Sequence, residues 1–255
     1  MDLDLTEDQE AIRDVFADFF TSETGPERAR AAEPVGFDAA AWERLMETGA
    51  PGMGVDADLG GGGASLADLA VVAEEAGARI AALPLVDHQV TARLLANMGG
   101  CDDDVLSGAA IAGLAVRPIE DGTARTVPTG AVAGRLVALD GDRLIAVDGP
   151  PGDPLANHGC LPLAHREVSE ATVLAKGPEA IAAYDRALDE WRTLTASTLV
   201  GITRTALDLG VAYVKEREQF GRPVGSFQAV QHLLADLPGL LDGARLLTAK
   251  AAWAG

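Results

Sequence analysis

The chain has 255 residues, 48% of them hydrophobic, and a net charge of −19 from 20 Lys+Arg against 39 Asp+Glu. That apolar content can fill a sizeable core and excludes disorder as the main state, because disordered chains combine high charge with low hydrophobicity. The acidic balance argues against nucleic acid as a partner, since neutralising phosphates takes a basic surface.

Thr6 followed by Gln9 is a capping-box pattern, and Ile12, Val15, Phe16, Phe19 and Phe20 recur at helical spacing, so an amphipathic first helix is expected over 4–22. A second helix fits 39–48, with Trp42, Leu45 and Met46 on one stripe and Gly49, Pro51, Gly52 and Gly54 ending it. Glycines 60–63 read as a turn. Ser65 then caps a third helix over 66–77, and a fourth runs over 84–97.

After a polar break at 100–104 the apolar period shortens toward two. Strands are expected over 111–116, 134–139, 144–147 and 168–174, separated by Asp-Gly and Gly-Pro turn residues. Beyond Lys176-Gly177-Pro178, apolar residues from Ile181 to Tyr213 return at spacings of three and four. This predicts a helix over about 50 Å long, which cannot bury its stripe alone. A break at 220–225 precedes a further helix, capped by Ser226 and kinked at Pro238-Gly239. The fold class is therefore α+β, mainly α: a helical domain at 1–104, a small β-domain at 105–176, and a helical domain at 177–255 containing two long helices.

Aromatic residues are only 4% of the chain, so the core must rely on small aliphatic side chains packed closely, which suits helices. Cys101 and Cys160 lie far apart without CxxC spacing, which signals neither a metal site nor a disulfide framework. An acidic N-terminus and the lack of an apolar run of about 18 residues make a cytoplasmic protein with no membrane role the expectation. No phosphate-binding loop or serine elbow occurs, and His88, His158, His165 and His232 lack metal-ligand spacing. The histidines read as surface or supporting groups, and Glu74-Glu75 as part of a solvated face.

One segment carries chemistry. Arg217, Phe220-Gly221, Phe227-Gln228, Gln231 and Ala235-Asp236 fall in the pattern R-x-x-F-G-x-x-x-x-x-F-Q-x-x-Q-x-x-x-A-D, by which the chain resembles the acyl-CoA dehydrogenase family. Leu5 to Gln9, Trp42 to Gly49, the glycine turn and Glu74 to Gly77 follow the same family's order. The resemblance implies a helical N-terminal domain, a small β-domain and a C-terminal helical bundle. It also implies FAD as cofactor, an acyl-CoA thioester as substrate, and homo- or hetero-oligomers with another dehydrogenase-like subunit. Arg217, Phe220 and Gln228 match positions that reach FAD across a subunit interface, and a guanidinium fork suits a diphosphate.

The chain also departs from the pattern. The β-domain motifs T-E-P-x-A-G-S-D and W-I-T-N-G have no counterpart between Val105 and Lys176. Where some members carry a catalytic Glu just before an Arg, this chain reads Glu190-Trp191-Arg192. Arg192 aligns with the Arg as a supporting catalytic residue, while Trp191 holds the base position. Glu190, one residue off and about 100° round the helix, is the substitute candidate. Other members place the base in a segment that would fall beyond residue 255. The chain thus resembles reduced subunits of actinobacterial heteromeric dehydrogenases, and lipid or steroid side-chain catabolism is its expected setting. The alternative is a non-catalytic scaffold or acyl-thioester-binding homologue.

Overall fold

Residues 3–255 are described by the computed structural model. Helix α1 (Glu7–Glu23) starts at the expected box: Gln9 N–H donates to Thr6 Oγ1 at 3.2 Å and Thr6 N–H to Gln9 Oε1 at 3.1 Å. Its Phe16 and Phe20 pack with Trp42, Leu45, Val72 and Leu85, drawn from α3 (Ala39–Met46), α4 (Leu66–Ala78) and α5 (Leu85–Asn97). Two short helices stand where loops are expected, α2 (Pro26–Ala31) and α6 (Asp103–Ser107). In α6 the acidic run is itself the helix start: the Asp102 carboxylate accepts the Val105 N–H at 3.0 Å, and Asp103 and Asp104 lie at the positive end of the helix.

The strands are β1 (Ala112–Leu114), β2 (Thr123–Val127), β3 (Arg135–Asp140), β4 (Arg143–Asp148), β5 (Ala164–Glu167) and β6 (Thr172–Lys176). One sheet runs β1-β3-β4-β6 with β1 parallel to β3 and the other pairs antiparallel; β2 and β5 form a separate antiparallel pair. Leu136, Ala138, Ile145 and Val147 face β2 and β5, while Val137, Leu139 and Leu144 face the helical core. The strand expected at 168–174 is shifted to β6, and β2 and β5 escape the pattern because only alternate, partly polar residues such as Ala124 and Arg166 are buried.

His88 is fully buried rather than superficial. Its Nδ1 accepts the Ala112 N–H and its Nε2 donates to the Val105 carbonyl, both at 3.0 Å, which ties α5 to α6 and to β1. Burial lowers its pKa to about 4, holding it neutral.

Helix α7 (Pro178–Glu216) spans 39 residues, about 58 Å. It leaves the sheet with the Tyr184 hydroxyl donating to the Ala115 carbonyl at 2.7 Å and crosses α4 at two glycines. A Cβ on Gly201 would lie 1.9 Å from the Glu74 carbonyl oxygen, and one on Gly77 2.0 Å from that of Thr198. Glu74 and Glu75 are not a solvated face: Arg204 reaches across this crossing to both, at 2.7 and 2.9 Å. Burial raises the Glu74 pKa.

Three helices, not two, follow the sheet. After α7 come α8 (Gln228–Ala235) and α9 (Leu237–Ala254), so the expected kink is a break before Pro238, which sits in the first turn of α9 where its missing N–H costs nothing. Ser226 does not cap α8; Phe227 occupies the N-cap and supplies no side-chain acceptor. Among the described residues no helix is long and apolar enough to cross a membrane.

Candidate functional site

The C-terminal end of α7 passes into a minimal hairpin. Arg217 is the C-cap: its N–H donates to the Tyr213 carbonyl at 2.8 Å and its carbonyl accepts the Val224 N–H at 2.7 Å. Strands β7 (Glu218–Gln219) and β8 (Arg222–Pro223) pair, and Phe220 and Gly221 make the two-residue turn. Both turn residues have positive φ, +55° and +76°, as such hairpins require. Asn or Gly ordinarily takes the first position; a bulky aromatic there is strained. Phe220 is nonetheless 94% exposed, so burial does not offset that strain.

Behind the turn, the Phe227 ring meets Phe220 edge to face, 6.2 Å between centroids and 87° between planes. The Arg222 guanidinium lies 4.1 Å above the centre of the Phe227 ring. Gly225 lets this segment lie against α7, since a Cβ there would come within 2.9 Å of the Val214 carbonyl oxygen. Gln228 is exposed in the first turn of α8, whose leading N–H groups receive no side-chain cap. The Arg217 side chain is exposed and forms no ion pair with Glu216 or Asp236. Arg217, Phe220 and Gln228 are thus all exposed, and the hairpin with the start of α8 offers a guanidinium, a helix N-terminus and an aromatic ring. That donor set fits a diphosphate attached to a flat ring.

The other sequence candidates lie along α7. Glu190 is held by Arg93 of α5 through two contacts of 2.9 and 3.2 Å. Arg192 is exposed and pairs with Asp189 at 2.8 Å. Trp191 turns toward α5, where its indole N–H donates to Asp87 Oδ1 at 2.8 Å. Burial pushes the Asp87 pKa up to about 6, against the lowering effect of that hydrogen bond. Neither Asp87 nor Arg93 stands out in the sequence, because a carboxylate in a first turn and an arginine six residues after it, not at the i,i+3 or i,i+4 spacing of a helix pair, read as ordinary helix residues. Arg222 is equally silent, and Phe227, legible as part of the pattern, gains its stacking partner only in three dimensions.

Further along α7 an apolar groove of about 720 Å³ opens against α9. Leu199, Leu240 and Leu247 line it and are 57%, 69% and 71% exposed.

Two family models match the chain: "Acyl-CoA dehydrogenase, N-terminal domain" over residues 6–101 and "Acyl-CoA dehydrogenase, C-terminal domain" over residues 181–255. Acyl-CoA dehydrogenase IpdE2 of Mycolicibacterium smegmatis is 31% identical over 238 residues, covering 91% of this chain and 73% of its own. Among solved structures, the ChsE4-ChsE5 complex from Mycobacterium tuberculosis superposes with a TM-score of 0.88 at 25% identity, covering 99% of this chain and 79% of that one. A Tcur3481-Tcur3483 steroid ACAD variant gives a TM-score of 0.85 at 28% identity, covering 97% and 78%.

Proposed function

Because the chain belongs to the acyl-CoA dehydrogenase family, we propose that it serves as one subunit of a flavin-dependent α,β-dehydrogenase of acyl-CoA thioesters, sharing an FAD with a second subunit of the same fold. When bound, FAD supplies the hydride acceptor. This chain's part is to bind and orient the cofactor's polar half: Arg217 and the α8 N-terminus take the diphosphate, Phe220 takes the adenine end, and Gln228 adds an amide. The observation that carries the reading is Phe220, an aromatic side chain held at positive φ and 94% exposed. Strain at a functional site is tolerated for what the residue contacts.

Neither Glu190 nor Trp191 supplies the proton-accepting carboxylate. Glu190 is committed to Arg93, and the position before Arg192 is filled by a tryptophan bonded to Asp87. Arg192 stays at the surface on a weak ion pair, free to support a partner's site. Bulky, steroid-like acyl groups are the favoured substrates, since one similar solved protein is a steroid ACAD. The apolar groove along α7 and α9 supports assembly.

The same tryptophan favours a second reading, a scaffold subunit without flavin. Flavin content decides between them. The assembled protein should purify yellow, with about one FAD per two chains if only the second subunit's β-domain grips the flavin ring, because a symmetric pair of equal subunits would hold one FAD per chain. A colourless assembly that takes up no added FAD selects the scaffold.

A further inference from the structure

We infer that Arg222 is a positioning residue for the cofactor surface, acting through Phe227 to fix the exposed ring of Phe220. The inference rests on reading Arg217, Phe220 and Gln228 as that surface. A two-residue turn between strands of two residues each is too short to hold its own conformation, because isolated hairpins are marginal even with longer strands. Its first turn residue is strained besides.

Something outside the ladder must therefore hold Phe220, and its neighbour in space is Phe227, edge to face at 6.2 Å. Phe227 is the N-cap of α8 and lacks a side-chain hydrogen bond, so its ring orientation also needs a support. Arg222 supplies that support from 4.1 Å above one ring face, an arrangement in which the ring quadrupole attracts the cation. Arg222 has no carboxylate partner among the described residues, so its side chain is not drawn off the ring by an ion pair. The order Arg222, Phe227, Phe220 runs from strand β8 to the helix start and back to the turn tip, and closes the loop that the backbone leaves open.

The test is FAD affinity, read as a Kd from titration of the apo assembly, for wild type, Arg222→Ala, Phe227→Leu, the double variant and Arg217→Ala. Arg222→Ala should weaken binding about three-fold, and adding it to Phe227→Leu should weaken it no further, because both act through one ring. Arg217→Ala, which removes a direct contact, should weaken binding more, by about ten-fold or above. If Arg217→Ala weakens binding and Arg222→Ala does not, or if the effects of Arg222→Ala and Phe227→Leu simply add, the positioning role is wrong while the cofactor surface stands. Unchanged affinity in all four variants overturns both. A thermal melt of each variant keeps loss of fold separate from loss of binding.

Discussion

The two halves of α7 read alike in sequence and behave differently. From Pro178 to Gly201 the helix buries Tyr184, Leu188, Leu194 and Val200 against α4, α5 and the sheet. From Ile202 to Glu216 it buries no residue; Leu209 is 67% exposed and Tyr213 61%. Apolar spacing of three and four states which face can be buried, but not by what. In the first half the answer lies within the chain. In the second half, and in the hairpin beyond it, the surface stays open: an apolar groove along α9, and at the end an exposed phenylalanine and an arginine with no ion pair among the described residues.

One substitution made in both halves tests that contrast most severely. Gly201→Ala drives a methyl into the Glu74 carbonyl and should cost about 3 kcal/mol in urea unfolding. Gly210→Ala meets no atom within 4 Å and should stabilise the isolated chain by up to about 1 kcal/mol through helix propensity. Equal effects at the two sites would erase the distinction.

Arg204→Met should destabilise by about 2–3 kcal/mol, since it strands Glu75, only 8% exposed, beside Glu74. A loss below 0.5 kcal/mol, roughly what an exposed pair contributes, would mean the crossing does not need its cation.

Two groups near the α5 crossing should tilt the pH profile in opposite directions. His88, lowered to about 4, contributes stability that is full above the ordinary histidine pKa and is lost as pH falls from there toward 4. Asp87, raised to about 6, contributes stability that is present below the ordinary carboxylate pKa and is lost as pH rises through 6. Asp87→Asn keeps an acceptor for Trp191 and should therefore add about 1 kcal/mol at pH 8, discounted for partial exposure, and little at pH 4. A gain of the same size at both pH values would contradict the shift.

The smallest stability effect lies at the turn. Phe220→Asn relieves the positive φ and should leave stability unchanged or raise it by about 0.5 kcal/mol, while weakening FAD binding about five-fold. A variant that binds FAD as well as wild type would make the exposed ring incidental.

Much of the fold was legible in the sequence because its signals are local. The Thr6-Gln9 box, the Ser65 cap and the glycine stops set helix ends through their own hydrogen bonds. What escaped depends on contacts distant in sequence. Glu74-Glu75 looks like solvent-facing charge until Arg204 arrives 129 and 130 positions later. His88 looks superficial until the Ala112 N–H supplies its partner, and β2 and β5 gain burial only by covering the other sheet. Arg217, Phe220 and Gln228 were legible as a pattern, but the strain at Phe220 and the stacking of Arg222 on Phe227 exist only in three dimensions.

FAD titration of the assembled protein carrying Arg217→Ala tests the central claim most directly. If this chain supplies the diphosphate contact of a shared cofactor, the variant should assemble normally and bind FAD about ten-fold more weakly or worse, the loss expected of a charge-assisted contact. An assembled variant that retains wild-type flavin content and affinity would contradict the account.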